Sequence, residues 1–195
     1  MIQSAIHRAL GDAFLTLPRE VQATHDNCGR LTLSGRADVI QRRGLLPRLI
    51  CWMMGLPASG MAQPVTVAFT TDAKGVDRWV RNFNGRIYKS ALWAEEPSRS
   101  HLLERMGLLT TRFALAAKPD RLTFDIVGMS LLGVPLPRWI RPRCHAFETG
   151  QAGAFAFDIT IEMPPIGSLI HYRGVLSQVV PSQGETLPAH TTSRL

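Results

Sequence analysis

A chain of 195 residues, 45% apolar and 19% charged, is long enough to bury one ordinary core without disulfide or metal staples, and its composition excludes a disordered or fibrous chain. Its formal net charge of +7 raises the question of nucleic acid. The arginines that supply it are scattered, with Arg42-Arg43 and Arg138/Arg141/Arg143 the local clusters. No RNP-like aromatic motif, zinc-finger spacing or basic helix accompanies them, so they read as a solvated basic surface and nucleic acid is not an expected partner.

Ile6, Leu10, Ala13, Phe14 and Leu17 recur at helical spacing until Pro18, and Arg19 to His25 resumes as a second short helix. Met1 to Phe14 carries His7, Arg8 and Asp12 where a signal peptide needs an unbroken apolar core. No later run approaches the roughly 18 apolar residues of a membrane span. Three cysteines, Cys28, Cys51 and Cys144, leave one unpaired in any disulfide scheme, and together these features are read as a cytoplasmic protein.

Leu31 to Ile40 alternates as a strand, with Gly35 placed for a bulge or bend. Gly44 to Pro57 is an apolar segment read as a helix, with Pro47 in its first turn and Gly55 at its end. Burial as a core helix capping an open side of a sheet is the favoured reading. A lid or an interfacial membrane anchor is the functional alternative. Beyond Pro64, strand signals dominate: Val65 to Phe69, Trp79 to Phe83, and, after the Asn84-Gly85 turn, Ile87 to Trp93. A helical turn is expected around Ser98 to Met106. Strands follow at Thr111 to Ala117, Leu122 to Val127, Cys144 to Thr149, Ala154 to Met163 and Ser168 to Val180.

Eight or nine strands at hairpin spacing predict an α+β fold built on a large curved antiparallel β-sheet, a barrel or half-barrel, with N-terminal and capping helices. Residues 1–180 form one domain and 181–195 a disordered tail rich in Ser, Gly, Thr and Pro. No GxGxxG follows a strand into a helix and no Walker sequence occurs, so no cofactor is expected. The histidines lack metal-ligand spacing, and no metal is expected either.

Gly35-Arg36-Ala37-Asp38-Val39, Gly55-Leu56-Pro57, the run Trp79-x-Arg81-x-Phe83-x-Gly85 with Ser90, Leu132-Gly133-Val134-Pro135-Leu136-Pro137, Glu148, Phe157-Asp158-Ile159 and Pro165-Ile166-Gly167-x-Leu169-Ile170-His171-Tyr172-Arg173-Gly174 carry a resemblance. From Leu10 to about Leu176 the chain resembles the bacterial family called domain of unknown function 4166. The resemblance implies single-domain proteins or C-terminal extensions of NAD(P)-binding oxidoreductase-like domains, so an oxidoreductase-like partner would act here in trans. It carries over no catalytic residue.

Strand parity places His171 and Arg173 on one face of the last strand and Tyr172 on the other. If the curved sheet encloses a cavity, inward Arg81, His171 or Arg173 would meet an acidic head group, with Glu148 or Asp38 as counter-charges and Trp79 and Tyr172 among the lining. The competing reading is cross-strand pairing on a solvated face. Two functions remain open: a binding module for a small hydrophobic or anionic molecule, or an enzyme using His171 with Glu148 or Tyr172 for proton transfer. The binding module is preferred because no Gly-x-Ser-x-Gly elbow or paired acid and base stands in catalytic spacing. Peripheral membrane association through Leu45 to Leu56 is a lesser alternative, and on balance a membrane is not the expected partner.

Overall fold

The computed structural model describes residues 3–26, 29–96, 100–164 and 166–179. The expected disordered tail and Cys28 lie outside them. Strands β1 (Arg30–Gln41), β2 (Gly60–Thr71), β3 (Asp77–Phe83), β4 (Arg86–Ala94), β5 (His101–Met106), β6 (Leu109–Lys118) and β7 (Arg121–Leu131) pair each with the next. The two-residue β8 (Val134–Pro135) pairs antiparallel with the end of β7, and β9 (Arg143–Gln151), β10 (Ala154–Met163) and β11 (Gly167–Gln178) continue the meander. Pairing of β11 with β1 and of β7 with β9 closes the sheet. The result is an antiparallel barrel of ten strands, an up-and-down arrangement that leaves no long edge unpaired.

Local chemistry sets the corners. Asn84 and Gly85 take φ of 48° and 89°, the left-handed pair that a two-residue hairpin demands, and join Phe83 to Arg86 directly across the ladder. Gly35 is required for a different reason from the one the sequence suggests. A Cβ there would lie 2.0 Å from the Val175 carbonyl oxygen, so β1 and β11 approach as closely as they do only because the side chain is missing. The irregularity in β1 falls later, between Ala37 and Val39.

Alternation then separates inside from outside. Leu33, Ala37 and Val39, Val65, Val67 and Phe69, and Phe155, Phe157 and Ile161 are buried inward. Outward positions of the same wall carry Arg36, Asp38, Asp158, His171 and Arg173, none of them buried. An apolar interior within a charged wall is the reverse of a transmembrane barrel. Among the described residues no helix is long and apolar enough to cross a membrane.

The two barrel ends are closed differently. At the floor, α1 (Ala5–Leu10), a 3-10 turn (Gly11–Thr16) and α2 (Arg19–His25) bury Ile6, Leu10, Phe14 and Val21. The expected first helix is interrupted because Gly11 leaves helical space with φ of 55°. Ser4 Oγ accepts from the His7 amide at 3.2 Å, and Asp77 Oδ2 accepts the Ala5 amide at 3.0 Å. These bonds satisfy helix-start donors that would otherwise be orphaned. At the mouth, α3 (Leu45–Met53) turns Pro47 and Cys51 inward. The segment Met54–Pro57 then crosses the opening, held by the Tyr88 hydroxyl donating to the Leu56 carbonyl at 3.0 Å.

Two expectations are corrected. Residues 101–106 form β5 and no helical turn, which raises the strand count above eight or nine. The helix α3 is not a core helix: Leu45, Leu46, Leu49, Trp52 and Met53 are all exposed.

Candidate functional site

The barrel is not filled. Phe113, Ile126, Ile159 and Tyr172 point inward and pack on the core, yet none is fully buried, because each shows part of its surface to an internal cavity. That cavity measures about 160 Å³. Aromatic and aliphatic side chains form most of its wall, with Met106 against Gly55 of the Met54–Pro57 crossing and Met129 also in the lining.

Few polar groups interrupt this lining. Arg81 on β3 reaches across β4: its Nη1 donates to Ser90 Oγ at 2.9 Å and its Nη2 to Glu104 Oε1 on β5 at 3.0 Å. The guanidinium also lies over the Trp79 ring, 4.7 Å from the centroid. Tyr172 enters from β11 between Phe83 and Phe157, edge-on to both at about 6 Å, and burial raises its phenol well above the ordinary tyrosine range. Burial, seconded by Glu104 and Asp125, pushes the Cys144 thiol up to about 12. It is therefore a protonated, inert lining group and not a nucleophile.

At the floor side of the cavity Glu148 Oε2 meets His25 Nε2 at 2.6 Å. The imidazole side chain is 1% exposed, stacked on Trp79 at 5.5 Å and edge-on to Phe69 and Phe155. Glu148 touches the cavity and His25 does not. The pair fastens the last turn of α2 to β9, and its imidazole has no open face for a reacting molecule.

The candidates read from the sequence thus divide. Trp79, Arg81, Glu148 and Tyr172 all line the cavity. His171, Arg173 and Asp38 stand on the outer wall, because their parity on β11 and β1 is opposite to that of Tyr172 and Ala37. There His171 Nε2 pairs with Asp158 Oδ1 at 3.0 Å, and Arg173 Nε approaches Asp38 Oδ2 at 4.0 Å. An open depression of about 580 Å³ runs over this wall, bordered by Arg36, Asp38, Asp158 and Arg173. Arg81, His171 and Arg173 do not converge. His171 meets neither Glu148 nor Tyr172, so that acid-base pairing is not assembled: the sheet stands between them.

Sequence reasoning missed Glu104 and the role of His25. Glu104 falls in the segment 98–106, whose pattern predicts a helical turn. His25 follows Val21 by four residues on one helical stripe, and that spacing was the available signal that it points with Val21 into the floor. Among the described residues no three of His, Cys, Asp and Glu are grouped to hold a metal ion.

Comparison with known proteins agrees with the extent of the barrel. A family model described as a domain of unknown function (DUF4166) matches residues 17–176, from the end of the 3-10 turn to β11. No curated protein matches the chain.

Proposed function

The chain belongs to the DUF4166 family, and we propose that its barrel is a binding module for a compact, uncharged, largely apolar small molecule held in the interior cavity. The observation that carries this reading is an apolar lining whose ionisable side chains Arg81, Glu104 and Glu148 already have hydrogen-bond partners. Arg81 is spent on Glu104 and Ser90, and Glu148 on His25. An anionic ligand would have to displace Glu104 from the guanidinium, at the cost of a buried unpaired carboxylate. A neutral ligand leaves both pairs intact and gains dispersion contacts with the apolar wall.

Size narrows the class further. An apolar cavity of about 150 Å³ stays dry and accepts a benzene-sized guest, so 160 Å³ suits a single ring or a short branched chain. The Tyr172 phenol, the Arg81–Glu104 pair and the two methionines supply one polar corner and an adaptable wall. A catalytic role has less support, since His171 pairs with Asp158 on the outer wall and the imidazole of His25 does not line the cavity.

Fluorine NMR titration with 4-fluorotoluene, 4-fluorophenol and 4-fluorobenzoate tests this. The two neutral probes should bind saturably and 4-fluorobenzoate should not. Ala146→Phe, which fills the cavity from β9, should abolish binding while leaving the fold intact. No saturable binding of either neutral probe, or preference for the benzoate, overturns the reading.

A further inference from the structure

The connections at the mouth end share a chemistry that none shows alone. Leu49 and Trp52 lie between β1 and β2, Ile87 opens β4, Leu108 turns β5 into β6, and Leu132 and Trp139 lie between β7 and β9. In an antiparallel barrel these positions all fall at one end. All six are between 51% and 72% exposed. The floor end, among the described residues, exposes Leu15 and Val179 as its large apolar side chains. Scattered exposed leucines need no explanation, but an end crowned by two tryptophans and a ring of aliphatic tips does.

The same connections carry the basic charge. Arg42, Arg43 and Arg48 flank and enter α3, Arg86 precedes Ile87, and Arg138 and Arg143 flank Trp139. Among the described residues no carboxylate lies within ion-pair distance of these arginines, and the acid that faces them is Glu162 on β10, opposite Arg143 in the ladder. The floor end, by contrast, neutralises itself through pairs such as Arg8 with Glu96 and Arg78 with Asp72.

We propose that the mouth end of the barrel docks on the surface of an anionic phospholipid bilayer, with Trp52, Trp139 and the aliphatic tips inserted among the headgroups and the surrounding arginines on lipid phosphates. Unpaired arginines interleaved with Trp and Leu match an interfacial anchor, in which apolar insertion and attraction to anionic headgroups add. A second copy of the chain fits poorly, because two such faces would set arginine against arginine. The apolar residues also stand on tips of separate connections, a form suited to a deformable medium rather than to one groove. This inference is independent of the cavity: the vesicle assay reads docking, and the fluorine probes read ligand.

Flotation with vesicles of phosphatidylcholine alone and of phosphatidylcholine mixed with phosphatidylglycerol tests it. Partition onto the mixed vesicles should exceed that onto the neutral ones by about tenfold or more and collapse at high salt. Trp52→Glu with Leu132→Glu should lower partition by about tenfold or more, and Arg42→Gln with Arg43→Gln by about tenfold. Leu15→Glu at the floor should change nothing. The substituted side chains are exposed, and unchanged urea midpoints verify folding. No flotation on the anionic vesicles, or rim variants that float like the wild type, overturns the proposal. So does a chain that ignores vesicles but sediments as a dimer dissolved by Trp52→Glu, which would make this face a self-contact.

Discussion

Replacing Glu104 with glutamine removes one charge from the barrel interior while keeping the volume and a hydrogen-bond acceptor. At the 3.0 Å separation of Arg81 and Glu104, an effective dielectric of about 20 gives a gross attraction of roughly 5 kcal/mol. Desolvation offsets much of that in the intact pair, but breaking a buried pair from one side typically costs about 3–5 kcal/mol, because the surviving charge is stranded. Here the stranding is incomplete. Ser90 and the Trp79 face still hold the guanidinium, and the two side chains are 21% and 12% exposed. The expected loss for Glu104→Gln is therefore about 2–4 kcal/mol. With a slope of about 2 kcal/mol/M the urea midpoint falls by about 1–2 M.

The same substitution should invert ligand preference. With Glu104 gone, Arg81 offers an unmatched charge to the cavity, and a hydrogen bond to a charged group contributes about 1.5–3 kcal/mol, or roughly ten- to hundredfold. The 4-fluorobenzoate that the wild type rejects should then bind. The double variant Arg81→Met/Glu104→Met should recover most of the lost stability and bind neutral probes alone. A urea midpoint that stays at the wild-type value, combined with continued rejection of the benzoate, would refute the reasoning that this pair sets the charge of the cavity.

Two further predictions follow from perturbed groups. Burial raises the carboxyl pKa of Asp77, against the opposing bonds from Thr71 and the Ala5 amide, so folding favours its neutral form. That contribution is complete below the unfolded value near pH 4 and is lost as pH rises through the higher folded value. Asp77→Asn should accordingly gain stability relative to the wild type between acid and neutral pH, and a pH series of urea melts with a flat difference would count against it. Cys51 and Cys144 are buried, with thiols pushed up to about 11 and about 12. Peptide mapping after iodoacetamide at mildly alkaline pH should find both unmodified in the folded protein and both alkylated in urea, whereas rapid labelling of Cys144 in the native state would contradict its placement.

Much of the barrel was legible because its strands obey period two with few exceptions, as in Phe155, Phe157, Ile159 and Ile161. The failure at β5 has a definite cause. Leu102, Glu104 and Met106 share the inward face, and a glutamate in that row hides the alternation unless its partner is known. That partner, Arg81, lies 23 residues away. The site was half legible for a related reason. Parity correctly set Tyr172 against His171 and Arg173, but parity cannot say which face a closed sheet encloses. Apolar company did not decide it either, since Ile170 and Leu176 share the face of Tyr172 while Leu169 and Val175 share that of His171 and Arg173. His25 and Glu148, 123 residues apart, meet only through closure of the floor.

Exposure at the mouth was the least readable property, and the reason bears on function. A run such as Leu45 to Met53 reads as core because an apolar segment ordinarily finds something to cover it. Among the described residues α3 buries one side through Pro47 and Cys51 and leaves the other outside. The remaining apolar tips lie on connections distant in sequence and become a patch only when hairpin alternation brings them to one end. On the two proposals together, that end is also where the cavity meets the Met54–Pro57 crossing. A bilayer against the mouth would offer an apolar ligand a route that avoids water, and the two proposals then make a joint demand: uptake of 4-fluorotoluene from anionic vesicles should outpace uptake by the Trp52→Glu/Leu132→Glu variant, although both proteins bind the dissolved probe equally.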